Sequence, residues 1–239
     1  MIRAVIFDID NTMYNFDRAH AAAMEALFRY GNQALSLEPG SMKEGLSAAQ
    51  KLILDRLGTN SSAIHNRLIR FQTFLESMKN VDLTKALEMY HTYWDTLLAV
   101  MEPEPGLKDL ILDLGSRGIR IGIGSDMTAY IQFKKLEKLG VLDQLSFIVT
   151  SEEAGAEKPS PEFFRLCVEK AGCKAEECVF IGDSLKKDVE GAEKSGLYGI
   201  WYHPAPENRK HDLQETGSGY PVITSYETCL KDGGFFSEI

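Results

Sequence analysis

An apolar run that ends in two carboxylates constrains this chain more than any other feature. Ala4-Val5-Ile6-Phe7 leads directly into Asp8-Ile9-Asp10-Asn11-Thr12. The run lacks the alternation of a half-exposed strand, so it reads as a strand buried on both faces, the kind found in parallel sheets. Residues two apart on such a strand point the same way. At about 4 Å and an effective dielectric of about 20, two carboxylates repel by roughly 4 kcal/mol. A hard divalent cation, which prefers oxygen ligands, removes that cost. The block predicts a metal and nucleophile site where the strand ends.

Three more blocks belong with it. Ile119–Gly124 runs into Ser125, and Cys178-Val179-Phe180-Ile181 runs into Gly182-Asp183-Ser184, with Asp188 five residues after Asp183. Between them stands Glu157-Lys158-Pro159-Ser160-Pro161. Ligands of open α/β sheets bind beyond the carboxyl ends of the strands, so acid-x-acid, hydroxyl, lysine and acid pair are expected to converge in one crevice. Read alone, Lys158 is a solvent lysine and Ser125 a helix cap. Their context, a strand before each and a Pro-x-Pro helix start after Lys158, favours the site. Asp126 is the oddity, an extra acid beside a site built for an anion. It could instead cap the helix that begins at Thr128.

Periodicity divides the chain into two parts. Asp17 is expected to cap a helix that runs to Tyr30 and stops at Gly31. Met42, Leu46, Ala49, Ile53 and Leu57 recur at helical spacing, as do Ile64, Leu68, Phe71, Leu75 and Met78, and Asp82 is expected to cap a further helix. Residues 16–101 therefore read as an all-helical module that ends at Glu102-Pro103-Glu104-Pro105-Gly106. From Leu107 helices and strands alternate: helix 107–117, strand 119–124, helix 128–139, strand 145–149, helix 161–171, strand 178–181, helix 186–195, strand 198–202 and a late strand at Val222-Ile223. The expected architecture is α/β: a Rossmann-like parallel sheet core (1–15 and 102–239) with an inserted helical cap (16–101). The stretch 203–220 reads as a long surface loop.

The 239 residues carry a formal net charge of −9. That balance argues against nucleic acid and anionic membranes as partners. No apolar stretch approaches the roughly 20 residues of a membrane span. The N-terminus passes at once into a strand, so no signal peptide is expected. Cys167, Cys173, Cys178 and Cys229 lack metal or redox spacing and read as free thiols of a cytoplasmic protein. A monomer or homodimer is expected.

The four blocks together resemble the four motifs of haloacid dehalogenase superfamily phosphatases: Asp8-x-Asp10-Asn11-Thr12, Ser125, Lys158 and Gly182-Asp183 with Asp188. Asn11 stands where many relatives carry Gly, Ser125 where many carry Thr, and Asp126 where Asn is commoner. The resemblance implies that Asp8 attacks phosphorus to form an aspartyl-phosphate and that Asp10 is the general acid and base. It implies that Asp8, the Asp10 carbonyl and Asp183 hold Mg²⁺, for which Mn²⁺ can substitute, with Asp188 behind them. Asn11, Thr12, Ser125 and Lys158 would bind the phosphoryl oxygens. It also implies a helical cap over the site, with crossings near residues 13–17 and 101–106 as hinges. Arg67, Arg70 and His65 of that cap read as solvated charges.

The resemblance further implies a small phosphorylated metabolite as the substrate class. A nucleoside monophosphate is slightly favoured, because Asp8-x-Asp10-Asn11-Thr12 followed by Tyr14 is similar to the motif of the nucleoside-monophosphate phosphatases of that superfamily, with sugar phosphates and phosphoglycolate next. A metal-free haloacid dehalogenase, a phosphomutase or phosphonatase of the same fold, and a non-catalytic binding protein are the alternatives.

Overall fold

The computed structural model describes residues 1–79, 82–204, 219–229 and Phe236. Six strands form one parallel sheet: β1 (Ala4–Phe7), β2 (Arg120–Ser125), β3 (Phe147–Thr150), β4 (Cys178–Gly182), β5 (Tyr198–Tyr202) and β6 (Val222–Ile223), in the order β3-β2-β1-β4-β5-β6. β1 is central. It pairs Phe7 with Ile123 of β2 and Ile181 of β4, which brings Asp8, Ser125 and Asp183 to one edge of the sheet. Every residue of β1 is fully buried, as the unbroken apolar run requires.

Between β1 and β2 lie α1 (Phe16–Leu35), α2 (Pro39–Leu57), α3 (Arg67–Glu76) and α4 (Thr84–Val100), followed by α5 (Leu107–Ser116). The rest of the chain supplies α6 (Ala129–Leu139), the single turn α7 (Ser151–Ala154), α8 (Pro161–Ala171) and α9 (Glu190–Lys194). No described helix is long and apolar enough to cross a membrane. The segments that enter and leave α1–α4 run side by side. Glu104 N donates to Met13 O at 2.8 Å, and Tyr14 bridges to Pro103.

Several helix boundaries differ from those expected. The cap of α1 is Asn15, whose side chain accepts from Arg18 N at 3.0 Å, rather than Asp17. Gly31 does not end α1. A Cβ there would lie 2.2 Å from Met42 Sδ, so this glycine permits close packing of α1 on α2, and the helix continues to Leu35. The stripe from Ile64 to Met78 is broken into a 3₁₀ turn, Ser62–His65, and α3, because Asn66 caps the latter through Leu68 N at 2.9 Å. Asp82 bonds Thr84, but the residue in the cap position of α4 is Leu83. The helix expected at 186–195 opens with a wide π-type turn, Leu185–Val189, before α9. Of the loop expected at 203–220, residues 205–218 lie outside the described residues.

Candidate active site

The strand ends bring three carboxylates together. One oxygen each from Asp8, Asp183 and Asp188 lies within 4.8 Å of the others. Asp188 gets there through the wide turn after β4. Its Oδ2 accepts from Ser184 N at 2.9 Å, folding the side chain back over the strand end. π-type turns of this kind recur at functional sites because they redirect one side chain without breaking the helix. Gly182 leaves the necessary space, since a Cβ there would sit 2.4 Å from Asp188 Cγ.

Lys158 is the counter-ion of this cluster. Its buried ammonium lies 2.7 Å from Asp8 Oδ1 and 2.7 Å from Asp188 Oδ1, and it donates to Gly124 O at 3.3 Å. Burial works against the charge, but Asp188, Asp8 and Asp126 together hold the ammonium well above its ordinary pKa. Asp8 is pushed up to about 7, chiefly by burial. Lys158 pulls it down, while Asp188 and Asp10 push it further up. One ammonium thus faces more negative charge than it neutralises. A hard cation with oxygen preference fits that surplus and that donor set.

Asp10 is held apart from this cluster. Both of its carboxylate oxygens accept from Lys135 Nζ, at 2.7 and 2.8 Å, and Oδ1 also accepts from Tyr14 Oη at 2.6 Å. Lys135 is completely buried on α6, and burial lowers its pKa despite Asp10. Its ammonium is ringed by Trp94, Phe16 and Tyr14 at 5.6 to 5.9 Å from the ring centres.

Ser125 is buried. Its Oγ accepts from the amide of Gln132, a second fully buried polar residue of α6, at 2.9 Å. Thr12 is buried too, and its Oγ1 has no hydrogen-bond partner among the described residues. Asn11 adopts φ of 60°, in the left-handed region that glycine enters most easily and asparagine tolerates. Its Oδ1 accepts from Phe16 N at 3.0 Å and so fastens the start of α1. Asp126 does not cap α6. It accepts from Lys158 N at 2.9 Å and pairs with Lys187 Nζ at 3.0 Å. Burial opposes its ionisation, but Lys158 and Lys187 outweigh that and keep its pKa low. It anchors the Lys158 backbone.

The residues expected to be solvated are not. His65 Nε2 meets buried Glu157 Oε2 at 2.9 Å, and Glu157 N donates to Asn60 Oδ1 at 2.9 Å, joining the helical module to the sheet domain beside Lys158. Arg67 and Arg70 are half-buried and line a cavity within the module. Lys135 and Gln132 belong to none of the four sequence blocks. Their only signal was positional: both fall among Ile131, Leu136 and Leu139 on the inward face of α6.

Residues 2–196 match the family model of haloacid dehalogenase-like hydrolases. The ribulose-1,5-bisphosphate 5-phosphatase of Halopiger xanaduensis is 32% identical over 213 residues, covering 87% of each chain. The glyceraldehyde 3-phosphate phosphatase of Methanopyrus kandleri is 32% identical over 197 residues, 82% of each chain. The magnesium-bound structure of the hydrolase YfnB from Bacillus subtilis superposes with a TM-score of 0.65 at 24% identity, over 96% of this chain and 97% of that one.

Proposed function

The chain belongs to the haloacid dehalogenase-like hydrolase family, and on that premise we propose that it is a Mg²⁺-dependent phosphatase of small phosphorylated sugars. The observation that carries the reading is the meeting of Asp8, Asp183, Asp188 and Lys158 at one strand edge, with the Asp10 carboxylate held separately by Lys135 and Tyr14. A two-step phosphoryl transfer needs two acids in two environments, one as nucleophile and the other as proton carrier.

Asp8 attacks phosphorus, the ester oxygen leaves, and an aspartyl-phosphate forms. Asp10 gives the leaving oxygen its proton and afterwards takes one from the water that cleaves the intermediate. Lys135 and Tyr14 orient Asp10 for both steps. Lys158 offsets charge shared between Asp8 and the phosphoryl oxygens, and the Ser125 hydroxyl, fixed by Gln132, bonds one of those oxygens. Asp8, Asp183 and Asp188, with the Asp10 carbonyl, would hold the Mg²⁺, which when bound neutralises phosphoryl charge. Helices α1–α4 act as the cap, with His65–Glu157 as a contact that seats it and excludes water.

Sugar phosphates are favoured over nucleotides for two reasons. The relatives at 32% identity act, by their names, on phosphorylated sugars. Tyr14, on which the nucleotide preference partly rested, is fully buried with its hydroxyl on Asp10, so it cannot stack on a base. The test is hydrolysis of a panel of sugar phosphates, nucleotides and 2-haloacids, with Mg²⁺ and after exhaustive chelation. Phosphate release that needs Mg²⁺ and is fastest with sugar phosphates supports the reading. Halide release, or full activity without metal, contradicts it.

A further inference from the structure

Cys173 and Cys178 are five residues apart, a spacing that matches no redox or metal motif, yet the fold brings their sulfurs to 3.4 Å. The connection between α8 and β4 does this. Gly172, at φ of 65°, ends α8 in the left-handed conformation, and its N–H returns to Val168 O and Glu169 O, each at 3.1 Å. A 3₁₀ turn over Ala175–Glu177 follows, closed by Glu177 N on Lys174 O at 2.9 Å and by Lys174 N on Glu177 Oε2 at 2.9 Å. Arg3 N donates to Glu177 O at 2.8 Å and fastens the turn to the residue before β1. The two thiols therefore face each other across a turn that is held at both ends.

The two differ in exposure. Cys173 is partly exposed, whereas Cys178 is buried at the start of β4. Cys178 Sγ donates to Lys174 O at 3.4 Å, which leaves its lone pairs to Cys173. Burial pushes the Cys178 thiol up to about 12, and the hydrogen bond and charge of the Cys173 thiol add to the rise. Cys167 and Cys229 are buried as well, and burial pushes them up to about 12 and about 11. Cys173 alone among the four combines access from solvent with a second sulfur at hand. An accessible thiol beside a resolving cysteine is the kind that oxidises reversibly. A disulfide is about 2.05 Å long, so closure needs the sulfurs to approach by about 1.4 Å (3.4 − 2.05), which rotation about χ1 of Cys173 covers.

We propose that Cys173 and Cys178 are a reversible dithiol–disulfide pair, oxidised by a hydroperoxide that reacts first at Cys173. The Cys173 sulfur attacks the peroxide, the O–O bond breaks, and a sulfenic acid forms on Cys173 with release of one water from hydrogen peroxide. The Cys178 sulfur then attacks the Cys173 sulfur, the S–O bond breaks, and the departing hydroxide takes the Cys178 proton as a second water. Two thiols lose two electrons and two protons, and one peroxide gains them. The pair stands at the opposite end of β4 from Asp183, so this site is separate from the carboxylate cluster and does not depend on the phosphatase reading.

The test treats the full, reduced chain with hydrogen peroxide, blocks the remaining thiols with iodoacetamide and digests it with trypsin without reductant. Cleavage after Lys174 falls between the two cysteines, so a disulfide joins peptides 171–174 and 175–186, which are otherwise separate. The expected result is that joined pair, a fall from four free thiols to two, and the return of all four with dithiothreitol. Cys173→Ser should abolish the joined pair and leave Cys178 a thiol after the same exposure. Cys178→Ala, checked for its fold by circular dichroism, should leave Cys173 as a sulfenic acid that dimedone traps. If Cys178→Ala does not fold, the wild-type and Cys173→Ser digests decide. Four surviving thiols in the treated wild type overturn the proposal. So do sulfinic acid at Cys173 with no joined peptides, a disulfide from Cys173 to a second copy of the chain, or a folded Cys178→Ala protein that dimedone does not label.

Discussion

Replacing Gly182 by alanine tests whether the position of Asp188 matters to the chemistry. A Cβ at residue 182 would stand 2.4 Å from Asp188 Cγ, against an ordinary contact of at least 3.4 Å, so the carboxylate must retreat by about 1.0 Å (3.4 − 2.4). Asp188 has little freedom to do so gently. Its Oδ2 is bonded to Ser184 N, and its Oδ1 faces Lys158. Overpacking of this kind costs about 1–3 kcal/mol of stability. A misplacement near 1 Å at a reacting centre costs on the order of 10² in rate. Disturbing a group in or behind a metal site weakens metal binding by about 10- to 100-fold. Thermal unfolding, kcat/KM for an aryl phosphate, and the Mg²⁺ concentration for half-maximal activity would read the three effects. Gly115→Ala in α5 is the control, because nothing lies within 4 Å of the place its methyl would take, and it should be neutral or slightly stabilising. Wild-type kcat/KM with an unchanged Mg²⁺ requirement in folded Gly182→Ala would refute the reasoning.

Asp10→Asn should lower kcat by about 10² to 10⁴ with little change in fold, the usual range for loss of one general acid and base; wild-type hydrolysis of an alkyl phosphate would contradict it. Lys135→Met should cost activity more than stability. It removes a fully buried charge while Asp10, whose side chain is 29% exposed, keeps access to water. Circular dichroism melts and kcat separate the two effects, and a large loss of Tm with kcat preserved would count against a positioning role. In metal-free protein, Asp8 retains to about pH 7 a proton that an unfolded chain loses near 3.8. The folded state then binds the extra proton between those values, so this group's contribution to stability falls as pH rises from about 4 to about 7 and is level above. Added Mg²⁺ competes with that proton and should raise Tm more at pH 8 than at pH 5. An equal or larger rise at pH 5 would count against this linkage.

The strand-end blocks were legible because each sits in consecutive residues behind an apolar run. Parallel pairing then fixes where Asp8, Ser125 and Asp183 meet. Lys135 was hidden by its neighbour. Lys134 and Lys135 are identical in type, and only the three-dimensional face of α6 decides that Lys134 pairs with Glu137 in solvent while Lys135 is buried on Asp10. The His65–Glu157 contact joins residues 92 apart and follows from docking of the module on the sheet, which no local pattern encodes. Gly31 read as a stop because glycine ends helices more often than it packs them, and here the sulfur of Met42 decided otherwise. The arginine pair looked like a solvated helix face until α1, α2 and α4 closed around it.

Trapping the covalent intermediate tests the central claim most directly. Enzyme turning over a sugar phosphate with Mg²⁺ would be quenched, reduced with borohydride and digested, and the peptide containing Asp8 examined by mass spectrometry. An aspartyl-phosphate is reduced to homoserine, so conversion at residue 8, absent without substrate and absent in Asp8→Asn, is the predicted result. Steady turnover with no modification at residue 8, or with the label at another carboxylate, would contradict the account.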